Sequence, residues 1–107
     1  MLSLPLGSKL YIAGGMSGLP DHNYPAFNRA AKMLRDMGYE VFNPAETDGG
    51  DTSKPRAYYI SLDVVMISQV DAVYFLKGWI RSEGAKLELS IACQREIPIF
   101  FEQGFTT

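Results

Sequence analysis

Residues 71–76, Asp-Ala-Val-Tyr-Phe-Leu, decide the fold class because they form a short and almost uninterrupted apolar run. A strand that is apolar on both of its faces is typical of the interior of a parallel sheet covered by helices on both sides. A loop over residues 77–81 follows the run and carries the only tryptophan of the chain. We therefore predict a buried strand over residues 71–76, with helices before and after it.

Helical patterns lie on both sides of this strand. Pro55 suits the first turn of a helix that runs to about Gln69. Its apolar positions recur at helical spacing, at Ile60, Val64 and Ile67. After the strand, Ser82 is a suitable N-cap for a helix over residues 83–95.

Three further apolar runs predict the other strands, over residues 9–13, 39–43 and 97–101. Pro25 begins a helix between the first two runs, and Gly38 follows its last turn as an expected left-handed cap. The apolar positions of that helix are Phe27, Ala30, Ala31 and Leu34. Two polar, glycine-bearing segments are predicted loops, residues 16–24 and 45–54.

The elements therefore alternate as β-α-β-α-β-α-β. This alternation predicts a single three-layer α/β domain over residues 1–107, with a four-stranded parallel sheet and helices on both faces, flavodoxin-like or Rossmann-like. In open sheets of this kind, ligands bind outside the carboxyl ends of the strands, near the point where strand order reverses. Those ends are residues 14–18, 43–46 and 77–82.

Composition excludes several classes of partner. The net charge is -2 and there is no long basic run, so we expect neither a nucleic acid polymer nor a membrane surface as partner. No apolar run approaches the ~20 residues that cross a bilayer. Cys93, predicted to face the core, is the only cysteine and His22 the only histidine, which argues against a disulfide and against a zinc site. With no signal peptide recognised at the start, we expect a cytoplasmic protein.

Two carboxylates border apolar stripes on different helices. Glu88 lies three residues after Ala85 and four before Ala92, and Asp63 lies four residues before Ile67. A carboxylate against apolar surface costs free energy, so it is either hydrogen-bonded at an edge near water or has a raised pKa that suits catalysis. Both alternatives remain open from spacing alone.

Several strand-end residues also have two interpretations. The loop over residues 14–18 is either a tight turn or a place where backbone N–H groups approach a phosphate or sugar. Ser82 is either only a helix cap or a ligand for a phosphate oxygen. Trp79 either stacks on a base or covers the core. Tyr11 needs a partner for its hydroxyl if it is buried.

Four segments, taken together, resemble nucleoside 2-deoxyribosyltransferase-like proteins. They are Tyr-Ile-Ala-Gly-Gly-Met-Ser-Gly (11–18), Asn-Tyr-Pro-Ala-Phe-Asn (23–28), Gly-Tyr-Glu-Val-Phe-Asn-Pro-Ala-Glu (38–46) and Ser-Glu-Gly-Ala-Lys-Leu-Glu-Leu-Ser-Ile-Ala (82–92). The second and third look like a small phage and bacterial subgroup that is largely of unassigned function.

The resemblance implies specific roles. Glu88 matches the glutamate that attacks the anomeric carbon, Asp63 the aspartate near the departing base, and Tyr11 the tyrosine that orients the nucleophile. Ser82 matches the serine that holds a 5′-phosphate in the nucleotide-hydrolysing branch. The predicted substrate-binding residues are Gly14, Gly15, Met16, Ser17, Asn43, Trp79, Ser82 and Gly84. The resemblance implies no metal and no organic cofactor, and it implies a homodimer or larger homo-oligomer.

The leading hypothesis is therefore cleavage or transfer at the N-glycosidic bond of a (deoxy)nucleoside or nucleoside 5′-monophosphate through a glutamate nucleophile. A second hypothesis is a non-catalytic module that senses or sequesters a nucleotide-derived ligand. A third is a structural domain with a vestigial cleft.

Overall fold

The computed structural model describes residues 2–16, 18–48 and 55–102, with the backbone alone for residues 47, 48, 56, 59 and 60. Within these residues the strands are β1 (Lys9–Ala13), β2 (Glu40–Phe42), β3 (Ala72–Phe75) and β4 (Ile99–Phe101). The helices are α1 (Tyr24–Asp36), α2 (Pro44–Asp48), α3 (Arg56–Ile67) and α4 (Glu83–Gln94).

The strands form one parallel sheet in the order β2-β1-β3-β4. Tyr11 pairs with Phe42 on one side and with Val73 on the other. The chain passes from β1 to one neighbour and then crosses to the opposite side for β3, so strand order reverses between β1 and β3. The predicted three-layer α/β fold with a parallel four-stranded sheet is confirmed.

Side-chain alternation along β1 divides the core into two layers. Leu10 and Ile12 pack against α1, whereas Tyr11 and Ala13 point to the opposite face. The residues of α1 that are buried are the predicted ones, Phe27, Ala30, Ala31 and Leu34. The second layer contains buried residues of β3, α3 and α4, namely Val73, Phe75, Ile67, Ala85 and Ala92. Tyr11 is therefore directed into the layer that contains α3 and α4.

The segment 45–54, predicted to be a loop, is helical in its first part. Residues 44–48 form α2, and residues 49–54 lie outside the described part of the chain. The helix begins because the side chain of Asn43 accepts a hydrogen bond from the Ala45 N–H at 3.1 Å. Pro44 follows at the first helical position, where its missing N–H costs nothing.

Two predictions about helix faces are wrong. Val64, assigned to the apolar stripe of α3, is 37% exposed, whereas Ile67 of the same stripe is fully buried. Cys93, predicted to face the core, is exposed because Glu88 and Ala92 occupy the inward side of α4. Successive helical residues are separated by ~100° of rotation, which turns Cys93 away from the sheet. The side chain of Ile60 lies outside the described part of the structure.

Within the described ranges, no helix has the length and apolar character needed to span a membrane.

Candidate active site

A cleft of about 660 Å³ opens beyond the carboxyl ends of β1 and β3, where strand order reverses. This volume lies within the ~300–1,000 Å³ that is typical of small-molecule sites. Its walls come from the loop after β1, the start of α1, the loop after β3, and the inward faces of α3 and α4. The lining residues are Tyr11, Ile12, Gly14, Gly15, Met16, Leu19, Asn23, Phe27, Pro44, Asp63, Lys77, Gly78, Arg81, Ser82, Glu83, Gly84, Ala85 and Glu88.

Tyr11 and Glu88 form a hydrogen-bonded pair at the base of the cleft. The tyrosine hydroxyl donates to Oε2 of Glu88 at 2.6 Å. Tyr11 is 1% exposed and Glu88 is 7% exposed. The alternation of β1 directs the tyrosine toward α4, and the helical spacing that makes Glu88 a neighbour of Ala85 and Ala92 directs the carboxyl group inward.

Asp63 of α3 is the second acid of the cleft. It lies close enough to Glu88 and Tyr11 to act on the pKa of both, and it lines the same cleft. The two helices pack against one another, which brings the acids together although 25 positions separate residues 63 and 88. The structure thus unites the three residues to which the family resemblance assigns catalytic roles.

The surroundings of Glu88 favour its protonated form. Burial raises the pKa of Glu88 to about 8, the Tyr11 hydrogen bond opposes this rise, and the charge and hydrogen bond of Asp63 add to it. The carboxyl pair therefore retains a proton near neutral pH, as two close carboxylates do when they share one proton. Burial, followed by the charges of Glu88 and Asp63, raises the pKa of Tyr11 well above its ordinary value, so the phenol stays a hydrogen-bond donor.

The loop after β1 packs closely against neighbouring side chains. A Cβ atom on Gly14 would lie 3.0 Å from the side chain of Leu76, so a larger residue would displace the loop. The carbonyl oxygen of Gly15 accepts a hydrogen bond from the Asn23 amide at 3.0 Å. Gly14, Gly15 and Met16 line the cleft as predicted, and Ser17 lies outside the described residues.

The start of α4 forms another wall. The Ser82 hydroxyl accepts a hydrogen bond from the Ala85 N–H at 3.1 Å, which confirms the predicted N-cap. Ser82 and Gly84 also line the cleft. The role of Ser82 toward a phosphate stays a prediction.

Two cationic residues of the cleft, Lys77 and Arg81, were not identified from the sequence. Both belong to the loop after β3, and within the described residues neither side chain forms an ion pair. Glu83 also lines the cleft, but its carboxylate lies 3.0 Å from the ammonium of Lys86. Sequence position could have identified Lys77 as a cleft residue, because it directly follows the apolar run of residues 71–76.

Trp79 and Asn43, both predicted to bind substrate, do not line the cleft. Trp79 is 8% exposed and its ring packs at 5.2 Å from Phe75 and 5.5 Å from Phe101, so it covers the core. Asn43 is buried and its amide donates to Asn28 at 3.0 Å while capping α2. Both residues were predicted to bind substrate because they lie near strand ends. In the structure, however, contacts with neighbouring side chains direct them away from the cleft.

The described residues contain no group of three or more His, Cys, Asp or Glu side chains able to hold a metal ion.

The fold and the cleft define a flavodoxin-like α/β protein with a buried glutamate, Glu88, beside the half-buried Asp63 at the strand-order reversal. The chain belongs to the family described as "Domain of unknown function (DUF4406)", whose model matches residues 8–101. Comparison with curated proteins gives no match.

A solved structure with a similar fold is the 2-desoxiribosyltransferase from Leishmania mexicana, with a TM-score of 0.68 and 18% sequence identity. The similarity covers 88% of this chain and 63% of that chain, so this chain spans less than two thirds of the length of its structural neighbour.

Proposed function

We propose that this protein cleaves or transfers the N-glycosidic bond of a (deoxy)nucleoside or nucleoside 5′-monophosphate, with Glu88 as nucleophile. The observation that carries the proposal is the convergence of Glu88, Asp63 and Tyr11 at the base of one cleft. The similar fold of a 2-desoxiribosyltransferase supports it.

The first chemical step uses the proton shared by the two acids. With the proton on Asp63, Glu88 is an anion whose Oε2 is held by the Tyr11 hydroxyl. A carboxylate oxygen of Glu88 bonds to C1′ as the bond from C1′ to the base nitrogen breaks. Asp63 gives its proton to the departing base. The carboxylate stabilises the positive charge that develops on the sugar, in the manner of a retaining glycosidase.

The second step releases the sugar from Glu88. The oxygen of a water molecule, or the nitrogen of an incoming base, bonds to C1′ as the ester bond to Glu88 breaks. Asp63 accepts the proton that the attacking group loses, so the acid pair returns to its starting state. Hydrolysis and transfer thus differ only in which nucleophile attacks the intermediate.

Lys77 and Arg81 favour a substrate with a 5′-phosphate. Both cations line the cleft and neither forms an ion pair among the described side chains, while Ser82 lies beside them at the start of α4. A phosphate bound there gains charge-assisted hydrogen bonds.

The experiment that tests the proposal is incubation with a panel of 2′-deoxynucleosides, ribonucleosides and their 5′-monophosphates, followed by chromatography of free base. Glu88→Gln and Glu88→Ala should abolish base release, and Asp63→Asn should lower it ~10²–10⁴-fold. Glu96→Gln is the matched control, because Glu96 is exposed and outside the cleft. With a second base added to each reaction as acceptor, absence of both free base and a new nucleoside across the whole panel with the unchanged protein would refute the proposal.

A second candidate, a non-catalytic nucleotide-binding module, is favoured by the raised pKa of Glu88. A carboxyl group that is protonated near neutral pH donates a hydrogen bond and is a poor nucleophile. Tight binding with recovery of intact nucleotide would support this function over catalysis.

A homo-oligomeric state and a cytoplasmic location stay predictions. Three exposed apolar residues of α3 support self-association, namely Tyr58, Val64 and Val65. Size-exclusion chromatography with light scattering measures the subunit number directly, and a monomer at micromolar concentration would contradict the oligomer.

A further inference from the structure

Glu102 connects the end of β4 to the loop that carries the cations of the cleft. Its backbone N–H donates to the carbonyl oxygen of Phe75 at 2.8 Å, which adds one more bond to the β3–β4 ladder. Its side chain then turns back, and Oε1 accepts a hydrogen bond from the backbone N–H of Lys77 at 2.8 Å.

The carboxylate of Glu102 takes the place of a backbone acceptor at the end of the sheet. Successive N–H groups of a strand point to opposite neighbours, so Leu76 donates to Ala13 of β1 and Lys77 is directed toward β4. In a continued ladder, a carbonyl group of β4 would receive the Lys77 N–H. Here a side-chain oxygen receives it, so the backbone ladder between the two strands does not continue to Lys77.

The turn that follows β3 contributes to the wall of the cleft. Gly78 has φ of +84°, in the left-handed region that glycine adopts without strain, and the chain reverses there. The Trp79 N–H then donates to the Leu76 carbonyl oxygen at 3.1 Å, which closes the turn. Lys77 and Gly78, on this turn, line the cleft, whereas Glu102 does not.

Resting on the proposed function, we propose that Glu102 is a positioning residue that holds the Lys77–Gly78 turn, and through it the cationic wall that receives the substrate phosphate. The second oxygen of the carboxylate lies 3.9 Å from the Arg29 guanidinium of α1, which makes only a long contact with it. The bond to the Lys77 N–H is the shorter and charge-assisted one, so the acceptor oxygen is the feature that matters.

The test compares Glu102→Gln, which keeps an oxygen acceptor, with Glu102→Ala, which removes it. Amide hydrogen exchange by ¹⁵N NMR reports directly on the Lys77 N–H. We expect about tenfold or greater loss of protection at Lys77 in Glu102→Ala and protection close to the unchanged protein in Glu102→Gln. The Leu76 amide, bonded to Ala13, is the internal control and should retain its protection.

Steady-state kinetics test whether the Lys77–Gly78 turn contributes to binding of the substrate phosphate. Glu102→Ala should raise KM for the nucleoside 5′-monophosphate about tenfold with kcat nearly unchanged, and should leave the KM of the unphosphorylated nucleoside unaltered. Glu102→Gln should keep the KM for the monophosphate close to that of the unchanged protein. Arg29→Ala controls for the long contact and should behave as the unchanged protein.

Equal protection of the Lys77 amide in all variants would overturn the inference, and so would a Glu102→Gln variant as impaired as Glu102→Ala. An unchanged KM for the monophosphate despite a released amide would overturn it as well. If the unchanged protein processes no nucleotide, the proposed function fails. The Kd of the same variants for inorganic phosphate then replaces KM as the quantity compared.

Discussion

The hydroxyl of Tyr11 donates a 2.6 Å hydrogen bond to Oε2 of Glu88, although 77 positions separate the two residues in the chain. This bond joins the first strand to the last helix at the base of the cleft. It opposes the effect of burial on the carboxyl group, because a donated hydrogen bond stabilises the carboxylate.

Replacing Tyr11 with phenylalanine should therefore impair the nucleophile. Tyr11→Phe keeps the ring that stacks on Phe42 at 5.7 Å but removes the donor, so the pKa of Glu88 should rise further. We expect kcat/KM for base release to fall ~10–100-fold, consistent with the loss of a hydrogen bond to a charged group. Unchanged kcat/KM across pH 6–9 would show that the tyrosine does not act on Glu88.

Activity should decline in alkaline solution because the acid pair then loses its shared proton. The pKa of Glu88 is raised to about 8, so above this pH Glu88 loses the proton that the pair shares and none remains for the base. We expect kcat/KM to fall about tenfold per pH unit above this value. An unphosphorylated nucleoside should show the same alkaline decline in kcat/KM. This result would distinguish ionisation of the protein from ionisation of a substrate phosphate, whose pKa is ~6.

The same pKa makes folding stability depend on pH. The folded protein holds the Glu88 proton with a pKa of about 8 and the unfolded chain with a pKa near the ordinary 4.5, so the folded state binds more protons between these values. Stability should fall as pH rises through this window, by at most ~1.4 kcal/mol per unit.

Glu88→Gln removes this charge and keeps an acceptor for Tyr11. The variant should be more stable than the unchanged protein at pH 8.5, by ~1 kcal/mol or more, and should lose that advantage near pH 5. Urea denaturation at both pH values measures the difference. Glu40→Gln, at an exposed position of β2, is the control and should show no comparable change. A Glu88→Gln variant less stable at pH 8.5 would contradict the prediction.

The two cations of the cleft should act on phosphorylated substrates alone. Lys77→Ala and Arg81→Ala should each raise KM for a nucleoside 5′-monophosphate about tenfold, and the effect should shrink at high salt. Lys32→Ala is the control, because Lys32 is exposed on α1, pairs with Asp36 and does not line the cleft. Equal losses with the unphosphorylated nucleoside would assign these residues a different role.

The ends of α1 and α4 offer a test of backbone strain. Gly38 follows α1 with φ of +100°, and Glu96 occupies the equivalent position after α4 with φ of +57°. Glu96→Gly should stabilise the protein by up to ~1 kcal/mol, because a side chain is disfavoured in the left-handed region. Gly38→Ala should destabilise it, since a side chain is strained at φ of +100°. Thermal denaturation measures both shifts, and a lower melting temperature for Glu96→Gly would contradict the argument.

Sequence patterns predicted features that depend on near neighbours. The helical spacing of Phe27, Ala30, Ala31 and Leu34 identified the buried face of α1, and the spacing of Glu88 against Ala85 and Ala92 placed that acid at the border of an apolar stripe. Patterns failed where a side chain's direction depends on distant contacts. Trp79 turns into the core because Phe75 and Phe101 provide an aromatic surface there.

By itself, the amino-acid sequence determined the alternation of strands and helices, the parallel sheet and the strand ends at which a site should lie. These follow from apolar periodicity, which is set by residues within a turn or a strand of one another. Only the tertiary structure decided that Tyr11, Asp63 and Glu88 meet, that Lys77 and Arg81 share their cleft, and that Trp79 and Asn43 do not. Such distances depend on how separate elements pack across the sheet, and no local pattern contains that information.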